Sequence, residues 1–173
     1  MNEADSFDWL PALLVLQGLL GALDTLVNHE FIEALPHRRA ARTEVALHAA
    51  REAAYAVLYL GFAWLAWQGT FAIVIGVLLA AEAAITLVDE VVENRARVLP
   101  QNERALHVLL ILNFGAIVAL FVPLLIDWAA NPTELAPAHH GWSSWAMTFF
   151  GVASAAWAVR DALAARRMLR ASP

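Results

Sequence analysis

Long apolar runs separated by short polar segments dominate the pattern of this sequence. Five such runs cover positions 9–33, 44–67, 70–93, 105–128 and 142–164. A run of roughly 20 apolar residues has the length that an α-helix needs to cross a lipid bilayer. The pattern therefore predicts an all-α integral membrane protein, a helical bundle of five transmembrane helices that forms a single domain over residues 1–173.

The composition supports this class. Hydrophobic residues make up 61% of the chain, charged residues only 16%, and the mean hydropathy is +0.59. Soluble domains carry about a quarter charged residues, so the chain is too apolar for that class. Residues 2–8 are acidic, unlike the start of a cleaved signal peptide, and we expect the first run to remain as a span. All eleven basic residues are Arg, which with abundant Ala is typical of a GC-rich bacterial genome.

The first four runs form two similar halves. Residues 25–27 and 86–88 both read Thr-Leu-Val, and Leu-Pro follows at 35–36 and at 99–100. Each half then contains a Glu-x-x-x-His motif, Glu44 to His48 and Glu103 to His107. The pattern predicts two tandem helical hairpins, repeat 1 at 9–67 and repeat 2 at 70–128, which form a four-helix core. The run at 142–164 has no counterpart and is predicted as an additional helix.

The Arg and Trp residues predict how the chain crosses the membrane. In a five-span arrangement all eleven Arg residues fall on one side. Because cytoplasmic loops are enriched in basic residues, we expect the N-terminus outside and the C-terminus in the cytoplasm, in a bacterial inner membrane. Aromatic residues concentrate at membrane interfaces, and the opposite ends of the spans carry Trp9, Trp64, Trp67, Trp128, Trp142 and Trp145.

Acidic and His residues gather at the helix ends that carry the Arg residues. Side chains four positions apart lie on one face of a helix, so each Glu-x-x-x-His motif points a carboxylate and an imidazole in the same direction. If the two hairpins pack as a bundle, the acids of the other two helices meet these motifs. The candidate metal ligands are therefore His29, Glu30, Glu33, Glu44, His48, Asp89, Glu93, Glu103 and His107.

This ligand set resembles that of the di-iron carboxylate proteins, which include the ferritin-like bundles and the membrane-bound alternative oxidase. In that pattern two helices each give a Glu and two give a Glu-x-x-His motif. Here the His follows Glu44 and Glu103 by four positions rather than three, and the helices span the membrane. The resemblance covers residues 24–107 and implies two metal ions at the cytoplasmic end of the bundle, iron first, with manganese or zinc as alternatives.

The location of this site favours a hydrophobic substrate. We expect an oxidoreductase that uses oxygen or peroxide to oxidise a lipid, a hydrocarbon or a quinol entering from the bilayer. A zinc-dependent lipid hydrolase, in which the metal activates water, is a second hypothesis. A non-catalytic carrier that moves a metal ion or protons along the acidic stripe of Glu82, Asp89 and Glu93 is a third. The lipid bilayer is the expected partner, and a homo-oligomer is left open.

Three further interpretations concern the buried histidines and acids. His48 and His107 occupy equivalent positions and could be the axial ligands of a b-type haem, although haem ligation does not require a nearby acid. Asp24, Glu52 and Glu82 lie deeper in their spans and predict a second polar layer. The acids could also form ordinary ion pairs with neighbouring basic residues, namely Arg38, Arg51, Arg95 and Arg104.

Several function classes are excluded by what the sequence lacks. The absence of Cys excludes thiolate metal ligands, Cys-bound iron–sulfur clusters and disulfides. No glycine-rich phosphate loop, nucleophile elbow or His-Glu-x-x-His zinc motif is present. The net charge is -5 and the Arg residues lie next to the membrane, so we expect no nucleic-acid partner.

Overall fold

The computed structural model describes residues 3–170 and is almost entirely helical. Its five α-helices are α1 Glu3–Leu23, α2 Arg42–Trp64, α3 Ala72–Ala96, α4 Gln101–Ala129 and α5 Trp142–Arg170. The first helix continues as a π-helix, Asp24–Ile32, and 3-10 turns cover Leu35–His37, Arg39–Ala41 and Gly69–Phe71. The predicted all-α class and the number of helices are confirmed. A short antiparallel pair of strands, β1 Leu65–Trp67 and β2 Leu135–Pro137, was not predicted.

Three stretches are long and apolar enough to cross a membrane, namely Trp9–Ile32, Gly69–Ala96 and Gln101–Ala129. Charged residues lower the hydropathy of the other two long helices, among them Arg51 on α2 and Asp161 on α5. Large apolar side chains also cover the surface, as Leu87 and Phe149 show with exposed fractions of 71% and 68%. An apolar surface of this kind is typical of a protein face that lipid or another apolar partner covers.

The five helices run alternately up and down and form a ring in the order α1, α4, α3, α2 and α5. We expected the fifth helix to be an addition beside a four-helix core. In the structure α5 instead takes a place in the ring between α1 and α2, and its most extensive packing is against α2. A Cβ atom at Gly151 would lie 2.7 Å from Cγ of Leu60. Only a glycine at this position therefore allows the backbones of α5 and α2 to approach so closely.

The apolar core occupies the half of the bundle that ends in the two strands. Phe62, Phe121, Ile75, Leu14 and Met147 are fully buried there and come from all five helices. The rings of Phe62 and Phe121 meet edge to face with centroids 5.1 Å apart. We call this half the strand end. Because it is filled by apolar side chains, the inward-facing charged residues lie in the other half, the polar end.

The first helix changes from α to π geometry where it enters the polar end. A π-helix forms i→i+5 hydrogen bonds, so residues five apart, such as Asp24 and His29, share a face. The segment ends where Glu33 N–H donates to the carbonyl of Asn28 at 2.8 Å and Ala34 adopts a left-handed conformation with φ 48°. π-helical turns are rare and frequently occur at functional sites, which agrees with the location of this segment at the polar end.

The contact between α5 and α2 leads to the first testable prediction. Replacing Gly151 with Ala forces the Leu60 side chain to move, and we expect a loss of about 1–3 kcal/mol in the free energy of unfolding. Gly115→Ala is the matched control because a Cβ there would meet nothing within 4 Å. It should be neutral or stabilising by up to about 1 kcal/mol. Equal unfolding free energies for the two variants would contradict the close packing described here.

Candidate metal centre

Both Glu-x-x-x-His motifs lie at the polar end and point into the bundle. Glu44 and His48 belong to the first turns of α2, and Glu103 and His107 to the first turns of α4. Their exposed fractions are 1%, 4%, 0% and 9%. Each motif lies near the start of its helix, and α2 and α4 begin at the same end of the bundle. The two motifs of the duplicated sequence therefore lie close together.

The π-helix brings Asp24 and His29 to the same place. Nε2 of His29 lies 3.4 Å from Oδ2 of Asp24 and 3.6 Å from Oε1 of Glu103. Asn28 donates to Asp24 at 2.7 Å and accepts from the amide of Asn102 on α4, also at 2.7 Å. These hydrogen bonds fix the π-helix against the start of α4 and orient the Asp24 carboxylate.

Two aspartate–histidine pairs relate the two halves of the bundle. Nε2 of His107 on α4 lies 3.3 Å from Oδ2 of Asp24 on the first helix. Nε2 of His48 on α2 lies 3.1 Å from Oδ2 of Asp89 on α3. Each pair joins helices from different repeats, so the aspartate of one repeat contacts the histidine of the other.

The third histidine lies between these pairs. The rings of His29 and His48 stack with centroids 4.4 Å apart and an interplanar angle of 8°. Glu93 faces two histidines, with Oε1 3.9 Å from Nε2 of His48 and Oε2 3.4 Å from Nδ1 of His107. Glu90, at the rim, lies 3.2 Å from the same Nδ1 atom. The three imidazoles and their carboxylates thus form one continuous cluster.

Two guanidinium groups enter this cluster. Arg97 follows the end of α3 and contacts three acids, with Nη2 2.5 Å from Glu103, 2.9 Å from Glu44 and 3.5 Å from Glu93. Burial alone would lower the pKa of Arg97, but the hydrogen bonds to Glu103 and Glu44 outweigh burial and raise that pKa above its usual range. Arg51 on α2 lies 3.2 Å from Asp89. Both Arg residues therefore remain charged and neutralise part of the cluster.

The structure brings together seven of the nine candidate ligands: His29, Glu44, His48, Asp89, Glu93, Glu103 and His107. The other two, Glu30 and Glu33, lie elsewhere. Glu30 forms an ion pair with Arg160 on α5, and Glu33 pairs with Arg38 at 2.5 Å. The π-helix explains the difference, because its wider turn places Asp24 and Asn28 on the face towards the cluster.

Three members of the cluster were not among the candidates. The sequence predicts that Asp24 lies in a deeper polar layer with Glu52 and Glu82, which is where a regular α-helix would place it. Glu90 lies one residue after Asp89 and reaches His107 from the rim. In the sequence Arg97 indicates only the membrane topology, whereas in the structure its guanidinium group donates hydrogen bonds to Glu103. The one signal in the sequence that could have identified a further cluster member is the presence of an acidic residue, Asp24, within an apolar run.

Several buried atoms of the cluster make no hydrogen bond of good geometry within the described residues, although those of His29, His107 and Glu93 have charged neighbours about 3.3–3.9 Å away. These atoms are Nε2 of His29, Nε2 of His107, Oδ1 of Asp89, Oε2 of Glu44 and both carboxylate oxygens of Glu93. Buried polar atoms without a hydrogen bond are rare and require an explanation, such as a bound ion. Three groups have ligand atoms that all lie within 4.8 Å of one another: Asp24, His29, Glu103 and His107; His29, His48 and Glu93; Glu90, Glu93 and His107.

That spacing suits metal binding. Nitrogen and oxygen ligands lie about 2.0–2.2 Å from an ion such as zinc, so two ligands of one ion are separated by at most about 4.4 Å. The side chains would need to move by less than an ångström. His29, Glu93 and His107 each belong to two of these three groups, so two neighbouring ions would share ligands.

A cavity of about 570 Å³ extends from the cluster into the centre of the bundle. Asp24, His48, Asp89, Glu93 and His107 form its wall at the polar end. The rest of the wall is mainly apolar and aromatic, and includes Phe114, Phe149, Phe150, Trp157, Leu110 and Ile111. Its volume is within the range of small-molecule sites, roughly 300–1,000 Å³. The cluster therefore adjoins a space that suits an apolar molecule.

Comparisons with known proteins add no assignment. No family model matches the chain, and neither the curated proteins nor the solved structures contain a match.

The position of Arg97 gives a second prediction. In protein treated with a chelator, Arg97→Gln leaves Glu44, Glu93 and Glu103 without their shared counter-ion, and we expect a loss of about 3 kcal/mol in unfolding free energy. Arg95→Gln, at an exposed position two residues earlier, should change it by less than about 0.5 kcal/mol. Denaturant unfolding monitored by circular dichroism measures both. An Arg97 variant as stable as the Arg95 variant would show that Arg97 does not neutralise the cluster.

Proposed function

We propose that this protein is an integral membrane metalloprotein in which two metal ions bind to the cluster at the polar end, and that it oxidises a hydrophobic substrate. Iron is the first choice of metal, with manganese and zinc as alternatives. The ligands we assign are the seven clustered candidates together with Asp24 and Glu90. The charge of the cluster is the observation that carries this proposal.

Six carboxylates contact a histidine or arginine of the cluster: Asp24, Glu44, Asp89, Glu90, Glu93 and Glu103. With all six acids ionised and the imidazoles neutral, as in a metal-bound cluster, the two positive charges of Arg51 and Arg97 leave an excess of four negative charges. Five of the six acids are at most 3% exposed, and an uncompensated buried charge is strongly destabilising. Two divalent cations would neutralise the excess. Histidine ligates metals in its neutral form, so the imidazoles would not alter this balance.

The types of donor atoms agree with the charge. Imidazole nitrogens and carboxylate oxygens suit iron, manganese and zinc, and carboxylates shared between two ions reduce their mutual repulsion. Asp24, His29, Glu103 and His107 provide one set, and His48 with Glu93 provides the core of a second. Asp89 contacts His48 and Glu90 contacts His107, so each acid can either orient its histidine or bind a metal ion itself.

The geometry gives less support to the two other interpretations of the histidines and acids. A haem between His48 and His107 would need a flat space between two free imidazoles, but His48 stacks on His29 and both rings contact carboxylates. Ordinary ion pairs account for Glu30 and Glu33 but not for the cluster, where two Arg residues face six acids. Arg95 and Arg104 are both exposed.

The cavity supports a substrate that enters from a bilayer. It joins the cluster to mainly apolar walls, and several of its lining side chains are also exposed on the outer surface, including Leu26, Leu87 and Phe149. A metal pair at one end of such a space, when bound, would supply the redox chemistry with oxygen or peroxide as oxidant. The protein would hold the apolar molecule beside it and exclude bulk water. The zinc hydrolase remains an alternative on the same ligands.

A carrier function has less support. An ion that left the cluster towards the strand end would meet the apolar core around Leu14, Phe62, Ile75 and Phe121, all of which are fully buried. Within the described residues, the cavity ends before this core. The acidic stripe of Glu82, Asp89 and Glu93 therefore leads from the cluster into the cavity and not across the bundle.

We also propose five membrane crossings in a bacterial inner membrane, with the polar end in the cytoplasm. α2 and α5 pack in one ring with the three apolar stretches. Their 23 and 29 residues correspond to lengths of about 35 and 44 Å, enough for a hydrocarbon core of about 30 Å. The Arg residues at the polar end support the orientation.

Metal analysis of purified variants tests the proposed function. His107→Ala and Asp24→Asn each remove a donor atom of the first set. Even a residue that only orients a ligand typically contributes 10–100-fold to metal affinity, so the loss of a ligand should weaken binding at least as much. We expect the bound metal to fall from two ions per chain to one or fewer. Elemental analysis with an optical spectrum of the same samples also separates iron, zinc and haem.

Glu30→Gln and Glu33→Gln are the matched controls. Both remove acids from the same polar end, but these acids pair with Arg160 and Arg38 outside the cluster. Their metal content should equal that of the unmodified protein. Metal content that drops equally in all four variants, or an unmodified protein that retains no metal, would refute the proposed centre.

A further inference from the structure

The wall of the cavity between α1 and α5 contains an empty space. Both helices line the cavity, and they touch at Gly18, where a Cβ atom would lie 2.5 Å from Cγ of Phe150. Gly21 also lines the cavity and lies one turn closer to the polar end. A Cβ atom at Gly21 would meet nothing within 4 Å. The contact between the two helices therefore gives way to open space within a single turn.

A second contact bounds this space on the side of the polar end. Glu30, in the π-helix, forms an ion pair with Arg160 on α5. Phe150 and Arg160 are ten residues apart, so the two contacts are separated by about 15 Å along the axis of α5. We call the region between them the window. Its cavity-lining residues include five small ones: Gly21, Ala22, Thr25, Ala153 and Ser154.

The outer side of the window is apolar. The first helix belongs to the stretch Trp9–Ile32, which is long and apolar enough to cross a membrane. Leu26 on this stretch and Phe149 on α5 line the cavity and are also 43% and 68% exposed. The apolar wall of the cavity is thus continuous with the apolar outer surface. Hydrocarbon chains of lipids are the groups that cover such a surface in a bilayer.

A second place on the cavity wall also reaches the outer surface. Leu87 on α3 and Ile111 on α4 line the cavity and are 71% and 44% exposed. The lining side chains there are large, whereas the window contains a glycine with empty space beside it. The window is therefore the passage with more room for a chain.

We propose that one hydrocarbon chain of a membrane lipid enters through the window between α1 and α5 and lies in the cavity. The volume of about 570 Å³ suits one small molecule, and hence a single chain rather than a whole two-chain lipid. The contacts at both ends of the window limit its width, which favours an unbranched chain over the fused rings of a sterol. The role of the chain as substrate rests on the proposed function, whereas its binding does not.

Photolabelling of chelator-treated protein in phosphatidylcholine nanodiscs tests the inference. Part of the phosphatidylcholine carries a diazirine at the end of one acyl chain, and mass spectrometry of the digested protein locates the labelled residues. Tyr59 and Glu82 line the cavity and are 2% and 5% exposed, so a chain must enter the cavity to reach them. We expect both to be labelled. Excess hexadecane should suppress this labelling, and the same amount of cholestane should not.

Gly21→Leu places a bulky side chain in the window and should reduce the labelling of Tyr59 and Glu82 about tenfold, the usual effect of overpacking an occupied space. Gly115→Leu is the matched control. A Cβ atom there also meets nothing within 4 Å, but Gly115 is exposed on α4 and lies outside the cavity wall. Its labelling should change less than about twofold. Labelling of Leu112, which is 66% exposed on the outer surface, should stay constant in both variants.

Leu87→Trp tests the second place on the wall and should leave the labelling of Tyr59 and Glu82 unchanged. A larger loss in this variant than in Gly21→Leu would overturn the inference. Absence of label from both buried residues of the unmodified protein, equal losses in the two glycine variants, or equal suppression by hexadecane and cholestane would each do the same. The unmodified protein with its two competitors decides even if a variant does not fold.

The use of metal-free protein separates this inference from the proposed function. If the chain labels the cavity and the protein retains no metal, only the proposed metal centre fails. If the protein binds two metal ions and the cavity is not labelled, only the present inference fails.

Discussion

The need to neutralise buried carboxylates governs the polar end of this bundle. Five carboxyl groups at most 3% exposed lie in one cluster with three histidines. A charge in such surroundings is stable only with a partner, because the desolvation cost of an isolated ion is several kcal/mol or more. Arg51 and Arg97 meet part of this need. The remaining charge is the reason to expect cations, and it explains why the imidazoles face the acids rather than solvent.

The division of the bundle into two halves follows from the same requirement. At the strand end, apolar side chains such as Phe62 and Phe121 fill the space between the helices. At the polar end the inward-facing side chains are charged, and the cavity is lined by these charged groups and by apolar side chains. The close approach of α5 to α2 at Gly151 closes the ring around this space.

The sequence predicts the number of helices, their alternation and the end of the bundle at which the acids meet, because these depend on long apolar runs and on a duplicated motif. It does not predict the π-helix, which depends on tertiary packing and moves Asp24 into the cluster while Glu30 and Glu33 turn away. The place of α5 in the ring also depends on a close contact that a repeat cannot reveal. Arg97 was missed because a loop residue has no periodic signal to indicate the direction of its side chain.

X-ray absorption spectroscopy of the metal-loaded protein is the most direct test of the central claim that two ions share this cluster. The account predicts a first shell of nitrogen and oxygen only, outer scattering from imidazole, and a second metal at about 3.5–4 Å. Porphyrin scattering, or a bound metal without imidazole scattering and without a second metal nearby, would contradict it.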